Sequence, residues 1–215
     1  MNTAKIVAIT NPLVEGVNTA DQFIAYAARV SNPSNQMNNE TSEKLLKYCI
    51  KHKHFSVFEM VNVVMEIETT RDIARQILRH RSFSFQEFSQ RYADPTKDLG
   101  FVTREARLQD TKNRQNSIEV DDTALQNEWY RSQQRVLFAV EREYKWAIDN
   151  GIAKEQARAV LPEGLTVSRM YMNGTIRSWI HFCELRMGNG TQKECREVAT
   201  SAWNQLAIYF KFLTR

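Results

Sequence analysis

"HFSVFEMVNVVMEIETT", residues His54 to Thr70, is the stretch on which the reading of the fold turns. Within it Val61, Val63, Met65 and Ile67 alternate with Asn62, Val64, Glu66 and Glu68. Alternation sends successive side chains to opposite faces, so the spacing predicts a long strand over 54–70 with one buried and one wetted face. The period then changes. In "RDIARQILRHR", residues 71–81, the apolar Ile73, Ala74, Ile77 and Leu78 recur at helical spacing and predict a helix over 70–81. A strand that runs straight into an amphipathic helix places the chain among mixed α and β proteins.

Working outward, "KIVAIT" near the N-terminus is β-branched and alternating, an opening strand. "TADQFIAYAARV" reads as a helix capped by Thr19 or Asp21, and "ETSEKLLKYCIKH" as a second, with Leu45, Leu46, Cys49 and Ile50 on one face. "FVTREARL" is a strand candidate, and residues 109–122 read as a mobile surface excursion. "TALQNEWYRSQQRVLFAVEREYKWAIDNG" is a long helix closed by Asn150-Gly151. A short helix in "AKEQARAVL", a strand in "LTVSRMYMNG" and two helices, "TIRSWIHFCELRM" and "TQKECREVATSAWNQLAIYFKFL", complete the order. The expectation is a single α+β (mixed α/β) domain over 1–215, with a central, mostly antiparallel sheet flanked by helices. Residues 104–125 form the excursion.

Composition narrows the classes. The 215 residues are 42% hydrophobic and 25% charged, an ordinary globular profile. No apolar run approaches the roughly 18 residues of a membrane span, and the N-terminus is too soon interrupted for a signal peptide, so the expected location is cytoplasmic, without a membrane partner. Three widely spaced cysteines, Cys49, Cys183 and Cys195, argue for buried thiols rather than a disulfide framework or zinc knuckle. No metal site is expected, since His52 and His54 at i and i+2 are a weak signal. Neither GxGxxG nor GxxxxGK[ST] occurs. The net charge of +4 suits anionic partners.

The charge gathers in "RHRSFSFQEFSQRY", residues 79–92, too polar for a core strand and too aromatic for a solvated loop. On a helix over 70–81, Gln76, Arg79 and His80 would share one side. Cations at a helix C-terminus complement the macrodipole by about 0.3–1 kcal/mol each, which accounts for Arg79 and Arg81 alone. It leaves the following Ser, Gln, Glu and Arg among Phe and Tyr unexplained. Arginine forks match phosphate geometry, so a phosphate or nucleotide site is one reading. A nucleic-acid-binding module, with Phe83, Phe85, Phe88 and Tyr92 stacking bases, is the alternative. More plainly, Phe83, Phe85 and Phe88 would anchor the segment into the domain or a subunit interface, and a third reading is a structural or oligomer-forming domain with a solvated basic face.

These residues resemble a known family. The flavin-dependent thymidylate synthases carry the pattern RHRxxSxNxxSxR, which "RHRSFSFQEFSQR" matches at Arg79, His80, Arg81, Ser84, Ser89 and Arg91, with Gln86 where Asn is usual. "HKHFSVFEM" resembles the family's upstream HxSPFEH-like segment through His54, Ser56 and Glu59, with Val57 for the usual Pro and Met60 for His. "ARAVLP" at 157–162 and "GTIRSWIHFCELR" followed by "GTQKE" resemble two further blocks in the same order.

The resemblance implies a homotetramer with active sites shared between subunits. It implies FAD bound without a Rossmann fold, and conversion of dUMP to dTMP. Methylenetetrahydrofolate would be the carbon donor and NADPH the reductant. It implies FAD contacts from Ser31, Ser56, Arg79, His80, Arg81, Glu87, Thr175, Arg177 and His181. It implies dUMP contacts from Gln76, Arg79, Glu87, Ser89, the Gln90 backbone, Arg91, Arg158 and Arg186. Arg186 would meet the uracil ring as the catalytic residue, His54 would lie on the folate or NADPH side, and no cysteine nucleophile is implied.

Overall fold

The computed structural model describes residues 1–214. The central strand of the argument is β2 (Asn62–Thr70), and Val63, Met65 and Ile67 are fully buried on one of its faces while Asn62, Val64, Glu66 and Glu68 retain access to water. It is flanked by β1 (Thr3–Ile9) and β6 (Val167–Thr175), and β3 (Ser84–Glu87) pairs with the far side of β6. The sheet order is β1-β2-β6-β3, and every pairing is antiparallel. The expected antiparallel sheet is therefore present, flanked by helices.

The expected strand over 54–70 is shorter at its start. Helix α2 (Ser42–Lys51) ends with Lys53 at φ 58°, the His54 N–H bonded to the Cys49 carbonyl and the Lys53 N–H to that of Ile50. This double closure reverses the chain, and a 3₁₀ turn over Phe55–Glu59 buries Phe58 before extended backbone begins. The predicted helix over 70–81 is also shorter. Helix α3 spans Arg71–Ile77, and the His80 N–H bonds the Ile77 carbonyl in a turn. Phe83 must reach the core, so the chain leaves the helical path at Leu78, and residues 84–87 form β3.

Helix α1 (Ala20–Ala28) is capped by Thr19, whose hydroxyl accepts from the Gln22 N–H while the Gln22 side chain accepts from the Thr19 N–H. A four-residue helix, α4, covers Pro95–Asp98. Within "FVTREARL" only Phe101, in an isolated bridge to Thr166, and the pair Arg107 and Leu108 are extended. The excursion is an ordered hairpin of β4 (Arg107–Gln109) and β5 (Ser117–Glu119). Helix α5 (Thr123–Asp149) follows, with Asp122 accepting from the Leu125 N–H and Gly151 at φ 76° past its end. The short segment after it splits into α6 (Lys154–Ala157) and a 3₁₀ turn, and the chain closes with α7 (Ile176–Arg186) and α8 (Lys193–Tyr209).

The core lies between the apolar face of the sheet and helices α1, α2, α3, α7 and α8. Trp179 is fully buried and its indole N–H reaches the Val63 carbonyl at 3.0 Å. Gly174 is required here, because the Phe83 ring lies against its Cα. Among the described residues, no helix is long and apolar enough to cross a membrane, and no group of three or more His, Cys, Asp or Glu is placed to hold a metal ion.

Candidate functional site

Helix α3 distributes the candidate residues. Neighbouring positions on a helix project about 100° apart, and Arg75 and Gln76 send their side chains to different partners. The Gln76 amide donates to Gln192 at the start of α8 (2.8 Å), whereas Arg75 approaches Glu87 of β3 (3.4 Å) and Glu163 (3.5 Å).

On the Gln76 side, the Arg186 Nε–H donates to His80 Nε2 (2.8 Å) and an Nη2–H to the Gln76 carbonyl (3.2 Å). An imidazole nitrogen that accepts from a guanidinium must be unprotonated. Burial first, then the charges of Arg186 and His181, holds the His80 pKa down to about 4 from its ordinary 6.5. The ring packs edge-on against Phe182 at 4.9 Å between centroids. Arg186 is thus fixed at two of its donors, with the rest of its fork available.

On the Arg75 side, Glu87 collects cations. Ser168 donates to its Oε1 at 2.8 Å, and Arg71 and Arg75 approach at 3.4 Å each. Arg71 is buried, and that burial lowers its pKa against the opposing pull of Glu87. A cavity of about 360 Å³ opens here, lined by Arg71, Arg75, Gln90, Arg158 and Glu163 among others. Gln90 is 5% exposed and its Nε2 has no hydrogen-bond partner, a buried donor lacking an acceptor. Arg91 is exposed and pairs with Glu155 at 3.3 Å, and the Ser89 hydroxyl accepts from the Arg91 N–H.

A third group surrounds a cavity of about 380 Å³ lined by Phe55, Glu59, Ser82, Arg177, His181 and Glu184 among others. Arg177 is ion-paired to Glu59. Thr175 caps α7, its hydroxyl accepting from the Ser178 N–H, and Ser56 is exposed on the adjoining 3₁₀ turn. Arg79 and Arg81 are exposed and lack a carboxylate partner among the described residues, an arrangement suited to an external anion. Ser31 is exposed just past α1, outside the linings of these cavities. His54 is exposed near Tyr48 and His52, each about 6.1 Å away between ring centroids.

The aromatic residues of the 79–92 segment anchor it. Phe83 is 9% exposed and sits edge-on to Trp179 and Phe182, and Phe85 packs beside it against the core, which removes both from any base-stacking surface. Tyr92 alone stands well out, at 79% exposure. Gln86 is exposed on the outer face of the sheet opposite Tyr171. Burial raises the pKa of the thiols of Cys49, Cys183 and Cys195, and all three are buried.

Sequence reasoning missed Arg71, Glu163, Ser168 and Gln192. Arg71 left a signal, because a cation at the first position of a helix opposes the macrodipole and needs another reason to be there.

Comparison with known proteins gives the family and the fold. The sequence model described as thymidylate synthase complementing protein matches residues 12–209. The chain is 52% identical over 202 residues to a probable flavin-dependent thymidylate synthase of Paramecium bursaria Chlorella virus 1, covering 93% of this chain and 91% of that protein. It is 46% identical over 202 residues to the flavin-dependent thymidylate synthase of Synechocystis, covering 92% and 91%. The crystal structure of the UMP/dUMP methylase PolB from Streptomyces cacaoi, bound with 5-Br UMP, superposes with a TM-score of 0.81 at 25% identity, over 99% of this chain and 92% of that one.

Proposed function

Since the chain belongs to the flavin-dependent thymidylate synthase family, an enzyme family, we propose that it carries out the reductive methylation of dUMP to dTMP. In this reading methylenetetrahydrofolate gives the carbon, NADPH is the reductant and FAD is the bound cofactor. The observation that carries the proposal is the partition at α3. One side presents a fixed guanidinium, Arg186, held by neutral His80, and the other presents an arginine-lined cavity with an unmet Gln90 donor.

The nucleotide phosphate brings a charge of about −1.5 to −2. Arg91 and Arg158, with Ser89 and the Gln90 backbone, hold it. Glu87 would repel that phosphate if it stood alone, but Arg71 and Arg75 neutralise it. Gln76 and Arg186 meet the pyrimidine. Arg186 places fixed positive charge where negative charge develops on the ring at N3 and O4, in a site oriented before reaction. A protonated His80 could not accept from Arg186, so the depressed His80 pKa keeps that guanidinium aimed across the neutral range.

The residues present fit FAD. Arg79 and Arg81 offer unpaired charge for a pyrophosphate, Arg177 and His181 line the adjoining cavity, and Ser56 and Thr175 are next in sequence to its lining residue Phe55 and to the α7 start that bears Arg177. His80, Glu87 and Ser31 complete the set, and His54 belongs to the folate or NADPH side. When bound, the flavin supplies the reducing equivalent directly to the pyrimidine, as a hydride. No thiol is needed as nucleophile.

Arg75 and Gln76 project about 100° apart on α3, so in this reading the two groups they carry belong to different nucleotides. A site assembled from the Gln76–Arg186 face of one chain and the Glu87–Arg158 face of another supports a homotetramer with shared active sites.

The test is direct. Purified protein reconstituted with FAD should be yellow, lose its flavin absorption on adding NADPH, and form dTMP from dUMP only when methylenetetrahydrofolate is present. Colourless protein that binds RNA with steep salt dependence would replace this reading with the nucleic-acid one.

A further inference from the structure

A further cavity, of about 530 Å³, shares no lining residue with the two cavities described above. It lies between the β4–β5 hairpin and the first turns of α5 and α8. We propose that it is a binding site for a second nucleotide, with the ring against Trp129 and the phosphates on Arg114 and Arg196.

The charge accounting isolates those two arginines. Of the cations lining the cavity, Arg107 is ion-paired with Glu194, both side chains 11% exposed. Lys193 is held by Glu105 (2.6 Å) and Glu119 (2.8 Å), and Arg104 by Asp72 (2.7 Å). Arg114 and Arg196 have no carboxylate within ion-pair distance among the described residues. The Arg104 Nε is in addition buried and without an acceptor, a further unmet donor on a lining residue.

The opposite wall is apolar. Leu108, Leu125 and Trp129 line the same cavity at 49%, 39% and 44% exposure, a patch rimmed by cations. An indole and unpaired guanidinium groups lining one cavity suit a flat ring that bears phosphates. The amides of Gln109, Gln115 and Asn116 provide donors and acceptors for the edge of a base. The volume falls within the range of about 300–1,000 Å³ typical of small-molecule sites.

The cavity is preformed. In the hairpin tip, Asp110 Oδ1 accepts from the backbone N–H groups of Lys112 and Asn113, and its Oδ2 accepts from the Asn116 amide. Arg114 is therefore carried on an ordered turn. Gln192 lines the cavity and accepts from Gln76, so occupancy has a route to the Arg186 group through one hydrogen bond.

The inference takes dUMP turnover from the proposed function, and its binding measurements are read separately from that turnover. Thymidine triphosphate titrated into the full protein at saturating dUMP should quench tryptophan fluorescence with saturation, and calorimetry should give one site per chain. The double variant Arg114→Ala/Arg196→Ala should weaken this binding at least tenfold and leave the KM for dUMP without triphosphate unchanged. Trp129→Phe should abolish most of the quench. Neither arginine is ion-paired among the described residues and neither is buried, so the double variant should fold. The proposal is overturned by no saturable binding up to millimolar triphosphate, or by equal affinity in the double variant. It is also overturned if inorganic pyrophosphate binds as tightly as the triphosphate, or if a thymidine oligonucleotide binds more tightly at the same residues.

Discussion

Gly174→Ala tests the idea that Phe83 anchors the arginine-bearing segment. A Cβ built at Gly174 would lie 2.5 Å from Phe83 Cε1 and closer still to Cδ1, far inside van der Waals contact. The ring cannot simply step aside, because Trp179 and Phe182 enclose it, with centroids 4.9 and 6.1 Å away. Overpacking of this kind costs about 1–3 kcal/mol. At roughly 2–4 °C per kcal/mol for a chain of this size, a cost of about 2 kcal/mol lowers Tm by about 4–8 °C. Phe83→Leu alone should cost about 1–1.5 kcal/mol, and the branched side chain no longer presses on the new Cβ. The double variant should therefore be more stable than the sum of the single changes allows, by about 1–2 kcal/mol. Urea unfolding at fixed protein concentration measures all four corners of the cycle. Flavin retained through purification should fall in Gly174→Ala, since Phe83 lies between Arg81 and Ser84. An additive double variant, or Gly174→Ala melting with the wild type, would refute the packing argument.

Arg186→Ala should lower kcat about 10²–10³-fold at saturating dUMP, whereas Arg91→Ala or Arg158→Ala should chiefly raise the KM for dUMP, by about tenfold or more; steady-state kinetics separates the two. The His80 pKa is lower in the folded protein, about 4, than its ordinary 6.5, so the unfolded chain binds the proton first as pH falls. That contribution to stability is complete above about pH 6.5 and lost on descending toward 4; because the ring is only partly buried, the loss is about 1 kcal/mol. Urea midpoints at pH 7.5 and 4.5 should show a larger drop for wild type than for His80→Gln. Cys183→Ala and Cys195→Ala should each keep dTMP formation, since burial keeps both thiols protonated; loss of turnover in a folded variant would contradict this.

Regular patterning was legible, and its interruptions were not. Val63, Met65 and Ile67 announced β2, and Thr19 and Asn150-Gly151 marked real helix ends, because burial and capping leave local traces. The early end of α3 and the existence of β3 depend on Phe83 finding Trp179, Phe182 and Gly174, contacts nearly a hundred residues away that no local spacing encodes. The same holds at the site. Arg79, Arg91 and Arg158 stood out by residue type. Arg71 and Ser168 matter because the sheet register delivers Glu87 to them, and register is a long-range property.

That register also makes the subunit sharing testable by mixing two impaired proteins. Arg158 belongs to the Arg75 side of α3 and Arg186 to the Gln76 side. If each nucleotide is held by one side from each of two chains, a site in a mixed oligomer is intact whenever an Arg186→Ala chain supplies the Arg158 half and an Arg158→Ala chain supplies the Arg186 half. With equal amounts and random assembly, that holds for about a quarter of the sites, so at dUMP well below the raised KM coexpressed chains should regain roughly a quarter of wild-type turnover although each parent is about tenfold or more below wild type. Refolding the two purified variants together, with refolding of each alone as the control, gives the measurement at fixed concentration. If each chain carried a whole site, every site in the mixture would keep one lesion. Activity no higher than that of the parents would then overturn the shared-site reading while leaving the roles of the two arginines standing.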